Sequence, residues 1–122
     1  MEMQSNIIEL TDTSDFKKII NNESTKNNLY IIDFHARWCG PCKKIAPKYN
    51  ELSMKYNNII FLKCNVDEAE ELSDIFDINS LPTFVIGYHK NIIEKFEGAN
   101  MKHVEASLKK YLKMENRMFQ LK

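Results

Sequence analysis

The chain has 122 residues, with 17 Lys+Arg against 17 Asp+Glu and 43% hydrophobic residues. That length suits one domain with a core of its own, and the zero net charge argues against a nucleic-acid binder or adhesion to anionic membranes. Three cysteines are too few, and odd in number, for a disulfide scaffold; beside 15 Lys, 13 Asn and 14 Ile, the three Gly, three Pro and three Cys are the places to look for function.

Met1 to Leu10 has no basic region followed by a long apolar run, so no signal peptide is expected and a cytoplasmic location is the default. No apolar run exceeds four residues, far short of a membrane span. Ile7–Leu10 reads as a short strand, and Thr11 to Ser14 offer N-caps for a helix carrying Phe16, Ile19 and Ile20. A polar loop, Asn21–Asn28, leads to the strand Leu29–Phe34 (LYIIDF), apolar apart from one Asp and so expected to be buried on both faces. A helix opens at Cys39 and reaches about Tyr56, with Cys42, Ile45, Ala46, Tyr49, Leu52 and Tyr56 inward and Pro47 expected to kink it. Ile59–Val66 is the next strand. A short helix from Glu68 to about Phe76 turns Ala69, Leu72, Ile75 and Phe76 inward. Thr83–Tyr88 and Ile92–Glu97 form a hairpin around His89-Lys90-Asn91, with Asn91 suited to the left-handed conformation. The last helix starts near Asn100 with the stripe Val104, Leu108, Tyr111 and Leu112, and can run on to Met118 and Phe119. The order βαβαβαββα makes an α/β domain, a central mixed five-stranded sheet flanked by four helices.

Trp38-Cys39-Gly40-Pro41-Cys42 stands where a strand gives way to a helix. A cysteine there meets free N–H groups and the positive end of the helix dipole, which stabilise the nucleophilic thiolate. Cys42 lies one turn deeper on the same face, within reach of the first sulfur. Gly40 permits a tight turn, and Pro41 is tolerated in a first helical turn. A C-x-x-C beside a βαβ pattern reads as a redox motif. Half a zinc site and two unreactive structural thiols are the competing readings, but Cys64, His35, His89 and His103 supply no second pair at zinc-finger spacing, and no metal is expected.

Asp33 is costly to bury charged, and burial raises its pKa. Six residues before Cys39, it suits a general base for Cys42; a turn-capping Asp at a strand end is the alternative. Lys63, a polar slot in IIFLKCNV, either neighbours and tunes Asp33 or is a surface lysine. Pro82, just before a strand, either forms a cis bond whose turn offers backbone groups to an extended substrate, or is a trans proline starting a strand, locally the commoner case. Cys64 reads as a buried structural thiol. His35 is either a polar loop residue or, protonated, a cation favouring the nearby thiolate.

Together these residues resemble the thioredoxin family over about residues 7–113: Asp33, WCGPC (Trp38 to Cys42), Pro47, FLKCNVD (Phe61 to Asp67), LPTF (Leu81 to Phe84) and FEGAN (Phe96 to Asn100). The resemblance implies the thioredoxin fold with strand order 1-3-2-4-5, a cis Pro82, a buried Asp33 and Lys63 as its neighbour. It implies a protein-disulfide reductase in which Cys39 attacks, Cys42 resolves, and Trp38, Leu81, Pro82 and Gly98 form the docking rim. Pro41, where disulfide isomerases usually carry His, points to a reductant. No bound cofactor or metal is implied; electrons are expected from NADPH through thioredoxin reductase, substrates are disulfide proteins such as peroxiredoxins, and the chain is expected to be a monomer.

Three departures stand out. His35 and Arg37 make the rim more basic, the hairpin lacks its usual turn glycine, and residues 114–122 extend past the thioredoxin domain (1–113), continuing the last helix or docking Met118 and Phe119 on the body or a partner. Two other readings follow: a more oxidising disulfide oxidase or isomerase, with His35 and Arg37 stabilising the thiolate, and an adaptor subunit binding partners through the extension.

Overall fold

The computed structural model describes residues 6–120, with side chains described for 6–117. The chain runs β1 (Ile7–Leu10), α1 (Thr13–Asn21), β2 (Leu29–His35), α2 (Gly40–Lys55), β3 (Ile60–Asn65), α3 (Glu70–Ile75), β4 (Thr83–Tyr88), β5 (Asn91–Glu97) and α4 (Met101–Gln120). The strands form one sheet in the order β1-β3-β2-β4-β5. β3 pairs parallel to β1 and β2; β4 pairs antiparallel to β2 and β5. This is the thioredoxin fold, a mixed five-stranded sheet with four helices. Crossover helices can return the chain to a parallel neighbour, whereas a two-residue turn closes only an antiparallel pair.

β2 lies in the middle of the sheet, and alternation along it feeds two cores. Leu29 and Ile31 face α2 and α4 with Tyr49, Leu52, Val104 and Leu108. Tyr30, Ile32 and Phe34 face the other way, with Leu72 and Phe76 and partly buried Phe16, Ile19 and Ile20. Asp33 shares the parity of Leu29 and Ile31, so it points to the α2 side.

Local chemistry sets the element ends. Asp12 caps α1, its carboxylate accepting from the Asp15 N–H at 2.9 Å. α2 runs through Pro47 to Lys55. Several expectations shift. Cys39 is the cap of α2 and not its first helical residue. α3 begins at Glu70, because Glu68 and Ala69 are held in a turn by the Asn65 carbonyl. Ile75 is 59% exposed: Leu72 and Phe76, four apart, take the stripe that so short a helix lays on the sheet. The hairpin turns on His89-Lys90, with His89 at φ 57 and Asn91 already in β5; histidine is among the side chains enriched in that region. The side chains of Met118 and Phe119 lie outside the described residues.

Candidate active site

β2 delivers the chain to a turn at residues 36–39. The Ala36 carbonyl accepts from the Cys39 N–H at 3.2 Å, and the Cys39 sulfur accepts from the Cys42 N–H at 3.2 Å. The thiol therefore occupies the capping position, where a sulfur anion meets an otherwise free helix N–H. Cys39 and Cys42 are joined as a disulfide with Cα atoms 5.3 Å apart, and both are buried. Gly40 and Pro41 occupy the first turn of α2. The turn does not require glycine at Gly40: its φ is outside the positive region, and nothing lies within 4 Å of where a Cβ would stand.

Trp38 is 71% exposed, and its indole N–H donates to the Asp67 carboxylate at 2.8 Å. Trp38, Cys39, Pro41, Val66 and Leu81 line a groove of about 530 Å³, together with the acids Asp67 and Glu70. Leu81–Pro82 is a cis peptide. The Pro82 carbonyl accepts from the Gly98 N–H at 2.9 Å, so these two residues from different loops meet. Asp67 is a site residue that sequence reasoning gave no role; only its meeting with Trp38, 29 residues away, reveals one.

Behind the dithiol, Cys42, His35, Lys43, Ala46 and Lys63 line a second cleft of about 380 Å³. Asp33 is wholly buried and sits in register with Lys63 on β3. Burial pushes its carboxyl up to about 7, against the pull of the Lys63 ammonium. Both its oxygens lack a hydrogen-bond partner among the described residues. The Tyr49 hydroxyl, also buried, donates to the Leu62 carbonyl at 2.7 Å and pins α2 to the sheet at this level.

His35 is neither the polar loop residue nor the cation that the sequence offered as alternatives. Its ring lies on β2 facing the cleft, and burial together with the Lys63 charge pushes its pKa down to about 4, so it is neutral near pH 7. Arg37 is matched by Glu68 at 3.3 Å. Cys64 is free, buried and pushed up to about 12 by desolvation, an unreactive core thiol. No group of three or more His, Cys, Asp or Glu is placed to hold a metal ion, and no helix is long and apolar enough to cross a membrane, among the described residues.

The thioredoxin family model matches residues 6–113. The chain is 46% identical over 85 residues to thioredoxin-1 of Caenorhabditis elegans, covering 70% of this chain and 72% of that one. It is 38% identical over 102 residues to thioredoxin 1 of Plasmodium falciparum, covering 84% and 94%. The crystal structure of a reduced Schistosoma mansoni thioredoxin superposes with TM-score 0.79 at 40% identity, covering 85% of this chain and 96% of that one.

Proposed function

This chain belongs to the thioredoxin family, and from that premise we propose how its residues divide the work of reducing a protein disulfide. The activity is thiol–disulfide exchange through the Cys39/Cys42 dithiol. Cys39 is the nucleophile: at the cap of α2 its thiolate is stabilised by the Cys42 N–H and the helix dipole. It attacks one sulfur of the substrate disulfide, forming a mixed disulfide and releasing the first substrate thiolate. Asp33 is the general base for Cys42, a role supported by its burial and a pKa close to neutrality. The Cys42 thiolate then attacks the Cys39 sulfur, closing the internal disulfide and releasing the second thiolate. Lys63, beside Asp33 in register, tunes that base.

Trp38, Leu81, Pro82 and Gly98 form the docking rim, with Gly40 and Pro41 in the first turn of α2 beside it. The groove beside Cys39 supports this reading. The oxidised protein is recharged by NADPH through thioredoxin reductase, its substrates include disulfide-bearing proteins such as peroxiredoxins, and it acts as a monomer. We place it in the cytoplasm, where thiols are kept reduced. Residues 1–113 form the thioredoxin domain, and 114–122 are an extension, a division supported by the end of the family match and by α4 continuing to Gln120.

The observation that carries the reading is a cysteine pair joined as a disulfide at the N-terminus of α2. Insulin reduction with dithiothreitol or a reductase tests it. Wild type turns over, Cys39→Ser abolishes turnover, and Cys42→Ser accumulates mixed disulfide. A wild type without turnover, or an active Cys39→Ser, would sink it.

A further inference from the structure

Glu9 of β1, Lys63 of β3 and Asp33 of β2 stand at one level of the sheet, Glu9 in register with Lys63 and Lys63 with Asp33. Ile7 and Ile31, two residues before Glu9 and Asp33, belong to the core beneath α2 and α4, so by alternation both acids lie on the α2 side. Strands are spaced about 4.8 Å apart, which sets the Glu9 and Asp33 backbone positions roughly 10 Å apart with that of Lys63 between them. The His35 Nε2 lies 3.7 Å from a Glu9 carboxylate oxygen.

We propose that Glu9 is a positioning residue for the resolving step: its half-exposed carboxylate draws the Lys63 ammonium toward the β1 edge and leaves Asp33 basic enough to take the Cys42 proton. Paired with Lys63 alone, Asp33 would be held ionised but would be a weak base. Proton transfer to a base is effective when its pKa lies near the working pH. The Glu9 charge acts on Asp33 in the same direction as burial, opposing Lys63.

The other titratable groups around the cluster do not take over this role. From β2, His35 is neutral near pH 7. From α2, the Tyr49 hydroxyl is engaged by Leu62, and Cys42 is the group to be deprotonated. Lys43 lines the cleft from α2 and adds a second cation. Arg37 and Glu68, both felt by Glu9, pair with each other. Cys64, which also feels both acids, keeps its proton. In the step itself the Asp33 carboxylate takes the proton of the Cys42 thiol. The new thiolate bonds to the Cys39 sulfur, and the bond from Cys39 to the substrate breaks with its electron pair on the substrate sulfur. The proton then passes from Asp33 to solvent.

The inference rests on Asp33 being the base, and two measurements separate the claims. The first is the titration midpoint of the Asp33 carboxyl, by carbon-13 NMR of the reduced protein. The second is the pH profile of second-thiolate release from a chromophoric aryl disulfide. Removing a charge about 10 Å away should lower the midpoint in Glu9→Gln by roughly half to one pH unit. The release profile should move toward acid by the same amount, and Glu9→Asp, which keeps the charge, should restore most of the wild-type values. An unmoved Asp33 midpoint in Glu9→Gln, or an equal shift in Glu9→Asp, overturns the role of Glu9 alone. Unchanged release in Asp33→Asn overturns the base itself, and the positioning role with it.

Discussion

Gly98 has φ +101° while its N–H holds the Pro82 carbonyl at 2.9 Å. Nothing lies within 4 Å of where its Cβ would stand, so the need for glycine is conformational and not steric. Gly98→Ala is therefore expected to cost about 1–2 kcal/mol, read as a lower urea midpoint with an unchanged slope. A midpoint equal to wild type would show that the loop relaxes without strain. Two of the cysteines give the same lesson in chemistry: the Cys39 sulfur meets a helix N–H, whereas Cys64 is surrounded by core and pushed up to about 12. Cys39, Cys42 and Asp33 were legible because spacing along one strand and one helix turn places them. Asp67 and Glu9 were not, because their partners Trp38 and Lys63 belong to distant segments.

At the level of elements, β4 carries a feature that periodicity could not expose. Gly87 pairs in register with Tyr30, and the tyrosine ring fills the space a Cβ would need. Gly87→Ala is expected to destabilise the protein by about 1–3 kcal/mol through overpacking. Urea unfolding checks the value. In a Tyr30→Leu background the same Gly87→Ala substitution should lose most of its penalty, and an equal penalty without the ring would place the cause in the backbone. The β4–β5 register also shifts between Ile86 and Gly87. Strand and helix types were readable from period and caps. The start of α3 and the turn at His89 were not, because backbone contacts such as those of Asn65 settle them.

For the whole molecule, Asp33 and His35 oppose each other in pH dependence. Asp33 is raised from 3.8 to about 7. Between those values the native state keeps a proton the unfolded chain has lost, so stability falls as pH rises. His35 is lowered from 6.5 to about 4, and there the unfolded chain takes a proton the native state lacks, so stability falls as pH drops. The two windows overlap and offset each other. Asp33→Asn removes the first, and should raise stability by on the order of 4 kcal/mol at pH 8 while changing it little at pH 4. Urea unfolding of the oxidised protein at both pH values is the check; an equal gain at both would show that the charge of Asp33 is not the cause.

The sequence by itself determined the element order, the redox pair at a helix start, the buried acid and the two-faced central strand. Each depends on residues near one another in the chain, or on a period that a helix or strand converts directly into a face. The tertiary structure alone decided that His35 is neutral, that Asp67 receives Trp38, that Gly87 clears a ring, and that Glu9 and Asp33 flank Lys63 in the sheet. Charge state and contact depend on which distant segments exclude water around a group, and only the assembled sheet and its helices settle that.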